Sequence, residues 1–346
     1  MKVLMIGPDR SVHGGISGVV NNYYKAGLDQ RVGLCYIGTM VEGSKWRKLF
    51  QAAKAFVCYL GKLPFYDIVH VNVAADASYY RKSIFIRVAR LFGKKIVIHQ
   101  HGGDFESFYD KNGTEKRRGD IRKVFGMADE FLVLAPAWKT FFGKILPEEK
   151  ITVLPDAIAI PKEVEKGYGQ HKLLFLGRLC EEKGIRELLS CMPGLQEKYP
   201  DIKLYLGGIW EDPSLQEEAS KCGSCVEWLG WVDGEKKAQY LKACDVFVLP
   251  SYFEGQSVAL LEAMAASCAP VVSETGGIPM MINGEENGIF IQPRDARSLD
   301  EGLDRVLADE ALCRRLGKAA RARVEKDFSL EDNMNKLLEI YERVMN

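Results

Sequence analysis

Short apolar runs alternate with longer helical patterns along the whole chain. In the first half the runs are continuous rather than alternating, which is typical of parallel strands buried on both faces. They predict six strands, at residues 3–7, 34–38, 68–73, 96–99, 131–135 and 151–154. Segments of helix length, such as 45–60 and 83–92, lie between them. This repetition of strand and helix predicts a doubly wound parallel sheet.

The alternation pauses and then restarts in the second half. The stretch 155–169 carries prolines and glycines among charged residues, which is typical of an interdomain linker. Six further strands are predicted at residues 173–176, 203–206, 226–229, 246–249, 270–273 and 289–291. Ligands of open α/β sheets bind at the carboxyl ends of the strands. We therefore expect an α/β chain with two tandem Rossmann-like domains that face each other across a cleft.

The same patterns give the predicted boundaries. Residues 1–158 form the first domain, 159–170 a linker, 171–326 the second domain and 327–346 a closing helix. The apolar residues of the closing helix recur at helical spacing, at Met334, Leu337, Leu338, Tyr341 and Val344. We expect this amphipathic helix to cross back to the first domain.

Length and composition agree with two globular domains. The chain has 346 residues, of which 47% are apolar. No apolar run reaches the roughly 18–20 residues that span a bilayer. Residues 1–7 predict a strand rather than a signal peptide. Nine scattered cysteines, among them Cys222 and Cys225, complete no zinc motif, so we expect reduced thiols in a cytoplasmic protein.

The charge balance differs between the two halves. The whole chain carries 47 basic and 47 acidic side chains, but residues 1–165 carry 25 basic and 17 acidic ones, a net charge of +8. Cations of the basic half cluster at Arg81, Lys82, Arg87, Arg90, Lys94 and Lys95. The asymmetry is compatible with an ordinary solvated surface. It is equally compatible with a partner, either an anionic membrane surface or a phosphate-bearing acceptor. No nucleic-acid partner is expected.

Residues 250–265 carry the strongest chemical signal. This segment follows a predicted strand, holds Glu254 in a loop and enters a helix near Ser257, a good N-cap residue. Glu262 lies about one turn into that helix. The free N–H groups and the partial positive charge of a helix start suit a diphosphate. The two carboxylates suit the hydroxyls of a sugar and a ribose, because hydroxyls donate hydrogen bonds to charged acceptors.

The segment resembles the donor-site motif of glycosyltransferase family 4, whose members have the GT-B fold, and the likeness covers most of the chain. Further segments are similar to the family's motifs in order and spacing: Phe175-Leu176-Gly177-Arg178-Leu179, Glu182-Lys183-Gly184-Ile185, Leu229-Gly230-Trp231-Val232, 245–251, Gly276-Gly277-Ile278-Pro279 and 283–288. As a set they are far more specific than any single one.

The resemblance implies a nucleotide-sugar site in the second domain. Arg178 and Lys183 would hold the donor diphosphate, whose charge two cations can offset without a metal. Glu262 would bind the ribose hydroxyls, and Glu254 would contact the C3 and C4 hydroxyls of the transferred sugar. Backbone groups near Trp231 would meet the base. The predicted donor-binding residues are Gly14, Gly15, Gly177, Arg178, Lys183, Trp231, Val232, Glu254, Gly255, Gln256, Ser257, Val258 and Glu262.

Two segments of the first domain are similar to other parts of the family's site. Gly14-Gly15-Ile16-Ser17 resembles the glycine loop that lies under the diphosphate, where glycines let the backbone approach a ligand. In His99-Gln100-His101-Gly102-Gly103-Asp104, His101 matches the family's His-Gly-x-Asp. This match implies a hydrogen bond to the donor sugar or stabilisation of charge at its anomeric carbon. His99 is expected to point inward. The predicted catalytic residues are His101, Glu254, Arg178 and Lys183.

One departure from the family pattern concerns the donor contacts. The pattern continues Gly-Gly-x-Pro-Glu, whereas Met280 stands at the position of that glutamate. The loss of a carboxylate near the sugar or the diphosphate would change the donor contacts more than the class of reaction.

The resemblance implies a retaining glycosyltransferase. It would move a hexosyl unit from a UDP- or GDP-sugar to an acceptor hydroxyl on a lipid-linked glycan of envelope or exopolysaccharide assembly, at the inner face of the membrane. No side chain is placed as a nucleophile, so we expect a front-face reaction with the leaving phosphate as base and with neither a metal nor a cofactor. The alternatives are a GT-B nucleotide-sugar 2-epimerase, a soluble transferase acting on a small sugar or a protein, and a non-catalytic partner subunit.

Overall fold

The computed structural model describes residues 1–110, 114–162 and 166–346 and divides them into two compact units. The first unit comprises Met1–Ala159 and Leu330–Asn346, and the second unit comprises Ile160–Ser329. Each unit is built around one parallel six-stranded sheet with helices packed against it. The predicted α/β class is confirmed.

The first unit contains each strand predicted in the first half of the chain. Its strands are β1 (Lys2–Gly7), β2 (Gly33–Gly38), β3 (Ile68–Val73), β4 (Lys95–Gln100), β5 (Glu130–Val133) and β6 (Ile151–Val153). Its helices are α1 (Gly15–Lys25), α2 (Leu28–Arg31), α3 (Lys45–Lys62), α4 (Ala77–Leu91), α5 (Phe105–Asp110), α6 (Glu115–Phe125), α7 (Pro136–Phe142) and, at the end of the chain, α15 (Leu330–Met345).

The sheet of the first unit has the order β2-β1-β3-β4-β5-β6, with every pairing parallel. The apolar runs form central strands because both faces of each strand are covered: all six residues of Ile68–Val73 are buried. The last helix, α15, belongs to this unit. The N–H of Leu330 donates to the carbonyl of Ile158 (3.0 Å), and the hydroxyl of Tyr341 lies 2.6 Å from His70 Nδ1.

The second unit contains the six strands predicted in the second half of the chain. They are β7 (Lys172–Leu176), β8 (Lys203–Gly207), β9 (Val226–Gly230), β10 (Val246–Leu249), β11 (Ala269–Ser273) and β12 (Ile289–Ile291). The helices are α8 (Ile185–Lys198), α9 (Pro213–Lys221), α10 (Gly234–Ala243), α11 (Val258–Ala265), α12 (Ile278–Met281), α13 (Ala296–Ala308) and α14 (Glu310–Asp327).

The strand order β12-β11-β10-β7-β8-β9 is the doubly wound order of Rossmann sheets. The chain begins in the middle at β7, winds outward to β9, and returns to β10 on the other side of β7. The loops after β7 and β10 therefore leave neighbouring strands at the same edge of the sheet. This reversal point is where open α/β sheets bind ligands, and the two strongest motifs of the second unit lie in these two loops.

The predicted linker 159–170 is not a free tether over its described part. The Lys166 ammonium donates to the carbonyls of Leu241 (2.7 Å) and Cys244 (2.6 Å), and the Tyr168 hydroxyl donates to the carbonyl of Ser267 (2.9 Å). These bonds attach the segment to the second unit, whose first residue is Ile160. Residues 163–165 of the predicted linker lie outside the described residues.

The predicted cluster of cations on α4 needs correction. The helix begins at Ala77, six residues before the predicted start, and Lys82 is buried rather than exposed. Its ammonium donates to the hydroxyl of Ser78 one turn earlier (3.0 Å), and burial lowers the pKa of Lys82 to about 7. Arg87 forms an ion pair with Asp120. The pattern misled because a long polar side chain on the inner face of a helix cannot be told from a solvated one by its type.

No helix in the described parts of the chain combines the length and the apolar character needed for a membrane span.

Candidate functional site

The loop after β10 leads directly into α11, as the sequence predicts. The hydroxyl of Ser257 accepts the N–H of Leu260 (3.2 Å), so this residue caps the helix that begins at Val258. The carbonyl of Ser257 accepts the N–H of Leu261 (3.1 Å). The first N–H groups of a helix have no partner within it, and their partial positive charge favours an anion.

Glu254 is held in this loop by two hydrogen bonds to the same oxygen. The hydroxyl of Ser251 donates to Glu254 Oε1 (2.8 Å), and the ammonium of Lys183 lies 2.5 Å from it. The whole residue is only 7% exposed, although its carboxylate is charged and paired. The fold thus brings together two predicted donor residues, Lys183 and Glu254, from motifs 71 residues apart.

Two glycines make this approach possible. Gly184 has φ +69° and Gly276 has φ +54°, in the left-handed region that glycine adopts without strain. A Cβ on Gly184 would lie 2.1 Å from the carbonyl oxygen of Pro250, and one on Gly276 would lie 1.7 Å from that of Glu254. The loop is therefore packed between two bare backbone turns. The sequence motifs contained both glycines but did not show what they contact.

The other charged residues that are predicted to bind the nucleotide sugar, Glu262 and Arg178, also form ion pairs. Glu262 Oε1 lies 2.6 Å from the Lys237 ammonium, and Arg178 Nη1 lies 2.8 Å from Glu211 Oε2. Sequence reasoning missed Lys237 and Glu211, because neither lies in a motif. An ammonium has three N–H donors and a guanidinium has five, so Lys183 and Arg178 can keep these partners and still donate to a phosphate.

Three of the residues predicted to bind the nucleotide sugar, Gly177, Trp231 and Val232, follow β7 and β9. The N–H of Gly177 donates to the carbonyl of Gly207 (2.9 Å), and a Cβ on Gly208 would lie 1.8 Å from the carbonyl oxygen of Gly177. Val232 is buried, whereas Trp231 is more than a third exposed. The contact between Gly208 and the carbonyl of Gly177 is so close that no side chain fits where β7 and β8 end.

Near the start of α11, Gln256 is buried and its amide lies 3.7 Å from the sulfur of Met281. Gly255 is buried and Val258 is half-buried. Met280, at the position of the family glutamate, is half-buried, and its carbonyl accepts a hydrogen bond from Arg323 (3.0 Å). At this position the chain therefore contributes an apolar side chain, not a carboxylate.

In the first unit, the predicted glycine loop lies open. Helix α1 begins at Gly15, and Gly14 is in an extended conformation. A Cβ on Gly14 or Gly15 would meet no atom within 4 Å. The turn therefore leaves room for a ligand against its backbone. Val19, Val20 and Tyr23, farther along the helix, are buried.

His101 lies at the end of β4 in a buried polar cluster. Asn72 Nδ2 donates to the carbonyl of Ile6 (3.1 Å), so Asn72 Oδ1 is the atom that accepts from His101 Nε2 (2.9 Å). This arrangement assigns the proton of a neutral His101 to Nε2 and leaves the lone pair of Nδ1 facing Asp156 Oδ1, 3.6 Å away. His99 is buried and inward, as predicted, with its ring 4.1 Å from that of His101.

Burial decides the protonation of this cluster. It lowers the pKa of His101 well below the ordinary value, lowers that of His99 to about 3, and raises that of Asp156 to about 8. His101 and Asp156 are close enough to form an ion pair, yet both shifts favour the neutral forms. At 3.6 Å the contact is too long for a hydrogen bond, so the loss of water outweighs their attraction.

His99, His101 and Asp156 place one donor atom each within 4.8 Å of one another. Among the described residues this is the one group with the spacing of a three-ligand metal site. We interpret it as a buried neutral polar cluster instead, because burial favours the uncharged form of Asp156, whereas a metal ligand would need the ionised carboxylate.

Comparisons with known proteins agree with this architecture. Residues 156–323 match the family model described as glycosyl transferases group 1. An uncharacterized glycosyltransferase of Methanocaldococcus jannaschii is 33% identical over 176 residues, which cover 50% of this chain and 45% of that protein. A phosphatidyl-myo-inositol mannosyltransferase of Mycolicibacterium smegmatis is 31% identical over 207 residues, 55% of this chain and 52% of that protein. The chain thus spans about half the length of these curated relatives.

Solved structures match over nearly the whole chain. A sucrose-phosphate synthase from Thermosynechococcus elongatus has a TM-score of 0.82 at 21% identity, covering 99% of this chain and 98% of that one. Anabaena HepE in complex with UDP has a TM-score of 0.77 at 15% identity, covering 99% and 100%. At these identities the likeness shows the fold, and the predicted GT-B class is confirmed.

Proposed function

We propose that the protein is a retaining hexosyltransferase, from the premise that residues 156–323, which include most of the second unit, match the family model described as glycosyl transferases group 1. It transfers a hexosyl unit from a UDP- or GDP-sugar to an acceptor hydroxyl, on a lipid-linked glycan presented at the inner face of the cell membrane. The observation that carries this proposal is the Lys183–Glu254 pair beside the start of α11.

The pair provides opposite charges for the two ends of a sugar diphosphate. Lys183 keeps further N–H donors for the diphosphate, as does Arg178, and the first N–H groups of α11 add to this positive field. Together they stabilise the negative charge that builds on the leaving nucleoside diphosphate, which is the electrostatic contribution that such reactions need most. In this proposal a metal is not required.

Glu254 serves the sugar. Its carboxylate accepts hydrogen bonds, and a hexose offers hydroxyl donors at C3 and C4. Lys183 and Ser251 fix the position of Oε1, so the carboxylate does not need to be ordered when the sugar arrives. Glu262, one turn into α11, accepts the ribose hydroxyls.

Within the first unit, the residues that resemble parts of the family's site are His101 and the open turn at Gly14 and Gly15. His101 has its tautomer fixed by Asn72 and its charge suppressed by burial, so it acts as a neutral dipole and not as an imidazolium. Because the Nε2 proton is donated to Asn72, the neutral ring keeps one lone pair, at Nδ1, and can only accept a further hydrogen bond. The leaving phosphate acts as the base in a front-face reaction.

A nucleotide-sugar panel tests the proposal. UDP- and GDP-sugars, together with UDP and GDP alone, are screened for a rise in melting temperature, since binding to the native state stabilises it. One nucleotide class should raise the melting temperature. Glu262→Gln should weaken the sugar nucleotide and the bare nucleotide alike, whereas Glu254→Gln should weaken only the sugar nucleotide.

The same panel identifies the reaction. The stabilising donor is incubated with glycosyl acceptors in the presence of EDTA, and the anomeric configuration of the product is determined by NMR. Transfer with retained configuration supports the proposal. Conversion of the donor to an epimer without an acceptor would instead indicate an epimerase, and binding without turnover a non-catalytic subunit.

A further inference from the structure

Large apolar side chains of the first unit are exposed along α3 and the turn that follows it. Trp46 is 80% exposed and Phe50 is 72% exposed. In the 3₁₀ turn Leu63–Phe65, Phe65 is 69% exposed. Single exposed apolar residues are ordinary in folded proteins, but contiguous ones mark a contact surface.

Helix α3 has two different apolar faces. On the inner face Ala55 and Tyr59 are buried, and the Tyr59 hydroxyl donates to the carbonyl of Phe85 in α4 (2.8 Å). The exposed large apolar residues are Trp46, Leu49, Phe50, Val57 and Leu60, with about one turn between 46 and 50, two turns between 50 and 57 and about one turn between 57 and 60. With 3.6 residues per turn, they form a stripe on the side opposite Ala55. The fold therefore attaches the helix by one face and leaves the other apolar and uncovered.

The stripe lies in a region of one charge sign. Helix α3 carries five cations and no acidic residue: Lys45, Arg47, Lys48, Lys54 and Lys62. In sequence the nearest acidic residues are Glu42 and Asp67. In the described part of the chain, no carboxylate lies within 4.0 Å of these five cations. The ion pairs of the first unit are made by cations outside α3.

The end of α4 extends the same surface. The Lys94 ammonium donates to the carbonyl of Pro64 in the turn (3.0 Å), which brings the end of that helix beside Phe65. Leu91 and Phe92, three and two residues before Lys94, are both exposed. The apolar area thus includes the outer stripe of α3, the turn and this helix end, and we call it the α3 surface.

We propose that the α3 surface binds an anionic lipid bilayer, with α3 lying in the plane of the interface. The geometry favours lipid because the apolar stripe would enter the boundary between headgroups and acyl chains, where Trp and Phe are well accommodated. Arg47 and Lys54 lie beside the stripe, and their long stems let the charged groups reach phosphates while the apolar face is buried. The positive charge without acidic neighbours matches the negative potential of anionic lipid.

This inference extends the proposed function by naming the surface on which a lipid-linked acceptor would be met. It depends on the proposed function only for that acceptor, because the apolar stripe and its charges are features of the first unit alone. A failure of either proposal can therefore be recognised separately.

Vesicle flotation of the full chain without any donor tests the inference. Vesicles of phosphatidylcholine with about 30% anionic phosphatidylglycerol are compared with vesicles of phosphatidylcholine alone. The protein should float with the anionic vesicles and be released as salt rises, since screening weakens the charge contribution. Trp46→Ser combined with Phe50→Ser should weaken binding at least about tenfold, because apolar insertion is lost.

Charge is tested separately from insertion. Replacing Arg47 and Lys54, the two cations beside the stripe, by Gln should weaken binding about 25-fold, at about fivefold for each cation. The matched controls are Met345→Ser, an exposed apolar residue on α15, and Lys336→Gln, an exposed cation on the same helix. Both should bind vesicles like the unmodified chain. The replaced side chains are exposed, so circular dichroism should show unchanged folding.

Two outcomes would overturn the inference. The first is equal binding of the α3 variants and the unmodified chain to anionic vesicles. The second is an absence of flotation together with dimerisation that the Trp46→Ser and Phe50→Ser changes abolish, which would identify the occupant as a second copy of the chain. In either case thermal stabilisation by a nucleotide sugar still tests the proposed transfer independently.

Discussion

The candidate donor site of the second unit and the histidine cluster of the first unit differ in whether their titratable groups are charged. In the second unit, Lys183 with Glu254 and Lys237 with Glu262 form ion pairs at 2.5 and 2.6 Å that keep some contact with water. In the first unit, His101 and Asp156 lie 3.6 Å apart and burial holds both neutral.

The difference shows what each arrangement is suited to do. A partly hydrated ion pair stays charged and can share its cation with an incoming phosphate. A fully buried pair of titratable groups avoids the cost of removing charges from water by giving up the charge. It then serves as a hydrogen-bonded support with a fixed tautomer, not as a source of electrostatic stabilisation.

The largest effect is expected from Lys183→Ala. Removing the cation next to the diphosphate should lower the rate of transfer on the order of 10²- to 10³-fold. The measurement is kcat and KM with the donor identified in the nucleotide-sugar panel. Lys237→Ala is the matched control: it removes the partner of Glu262 and should mainly raise KM. A Lys183→Ala enzyme with unchanged kcat and donor affinity would end the assignment of this residue to the diphosphate.

The next effect concerns the packing of the loop after β10, which holds Glu254. Gly276→Ala should lower the free energy of unfolding of the second unit by about 3 kcal/mol, because the methyl group would overlap the carbonyl of Glu254 at an unfavourable φ. Gly284 also has positive φ, but a Cβ there meets nothing within 4 Å. Gly284→Ala should therefore cost about 1 kcal/mol in urea denaturation. Equal losses in the two variants would show that the close approach to the loop contributes nothing.

A smaller, pH-dependent effect tests the neutral cluster. The folded pKa of Asp156 is about 8, above the ordinary value of 3.8, so between these values the unfolded chain has lost a proton that the folded chain holds. Stability conferred at this position therefore falls as pH rises from about 4 to 8. Asp156→Asn removes this dependence. In urea denaturation, the free energy of unfolding of Asp156→Asn relative to that of the unmodified chain should rise by up to about 2–3 kcal/mol between pH 5 and pH 7. A difference independent of pH would show that Asp156 is charged in the folded protein.

The smallest effect is expected where α15 contacts the cluster. Tyr341→Phe removes the hydroxyl next to His70 Nδ1, both being fully buried, and should cost about 1–2 kcal/mol of unfolding free energy. The comparison is Tyr252→Phe, whose hydroxyl donates to Glu187 Oε1 (2.7 Å) from a half-buried position where water can replace it. That variant should lose no more than about 0.5 kcal/mol. A reversed order would contradict the assignment of the buried cluster as a support.

Most of the fold could be predicted from the sequence because its signals are local. The twelve strands were visible as short apolar runs, and each predicted strand is present. The start of α11 was visible in Ser257, whose hydroxyl needs only a neighbour three residues away to act as a cap. The glycine pair after β1 and the apolar run that contains His99 are local signals of the same kind.

The parts of the candidate site that could not be predicted depend on segments far apart in sequence. Nothing near Glu211 or Lys237 indicates that these residues neutralise Arg178 and Glu262. No local signal pairs Asp156 with His101, because 55 positions and two strands separate them. Lys82 is buried on the inner face of α4, which its side-chain type does not indicate.

The sequence by itself determined the two parallel sheets, the positions of their strands and the loop after β10 that enters α11. These depend on hydrophobic periodicity and capping, which consecutive residues express directly. Only the tertiary structure decided that Lys183 reaches Glu254, that His101 faces Asp156 and that the outer stripe of α3 stays uncovered. The physical reason is that charge pairing and burial depend on which surfaces the topology brings together, and a side chain's type carries no record of its distant neighbours.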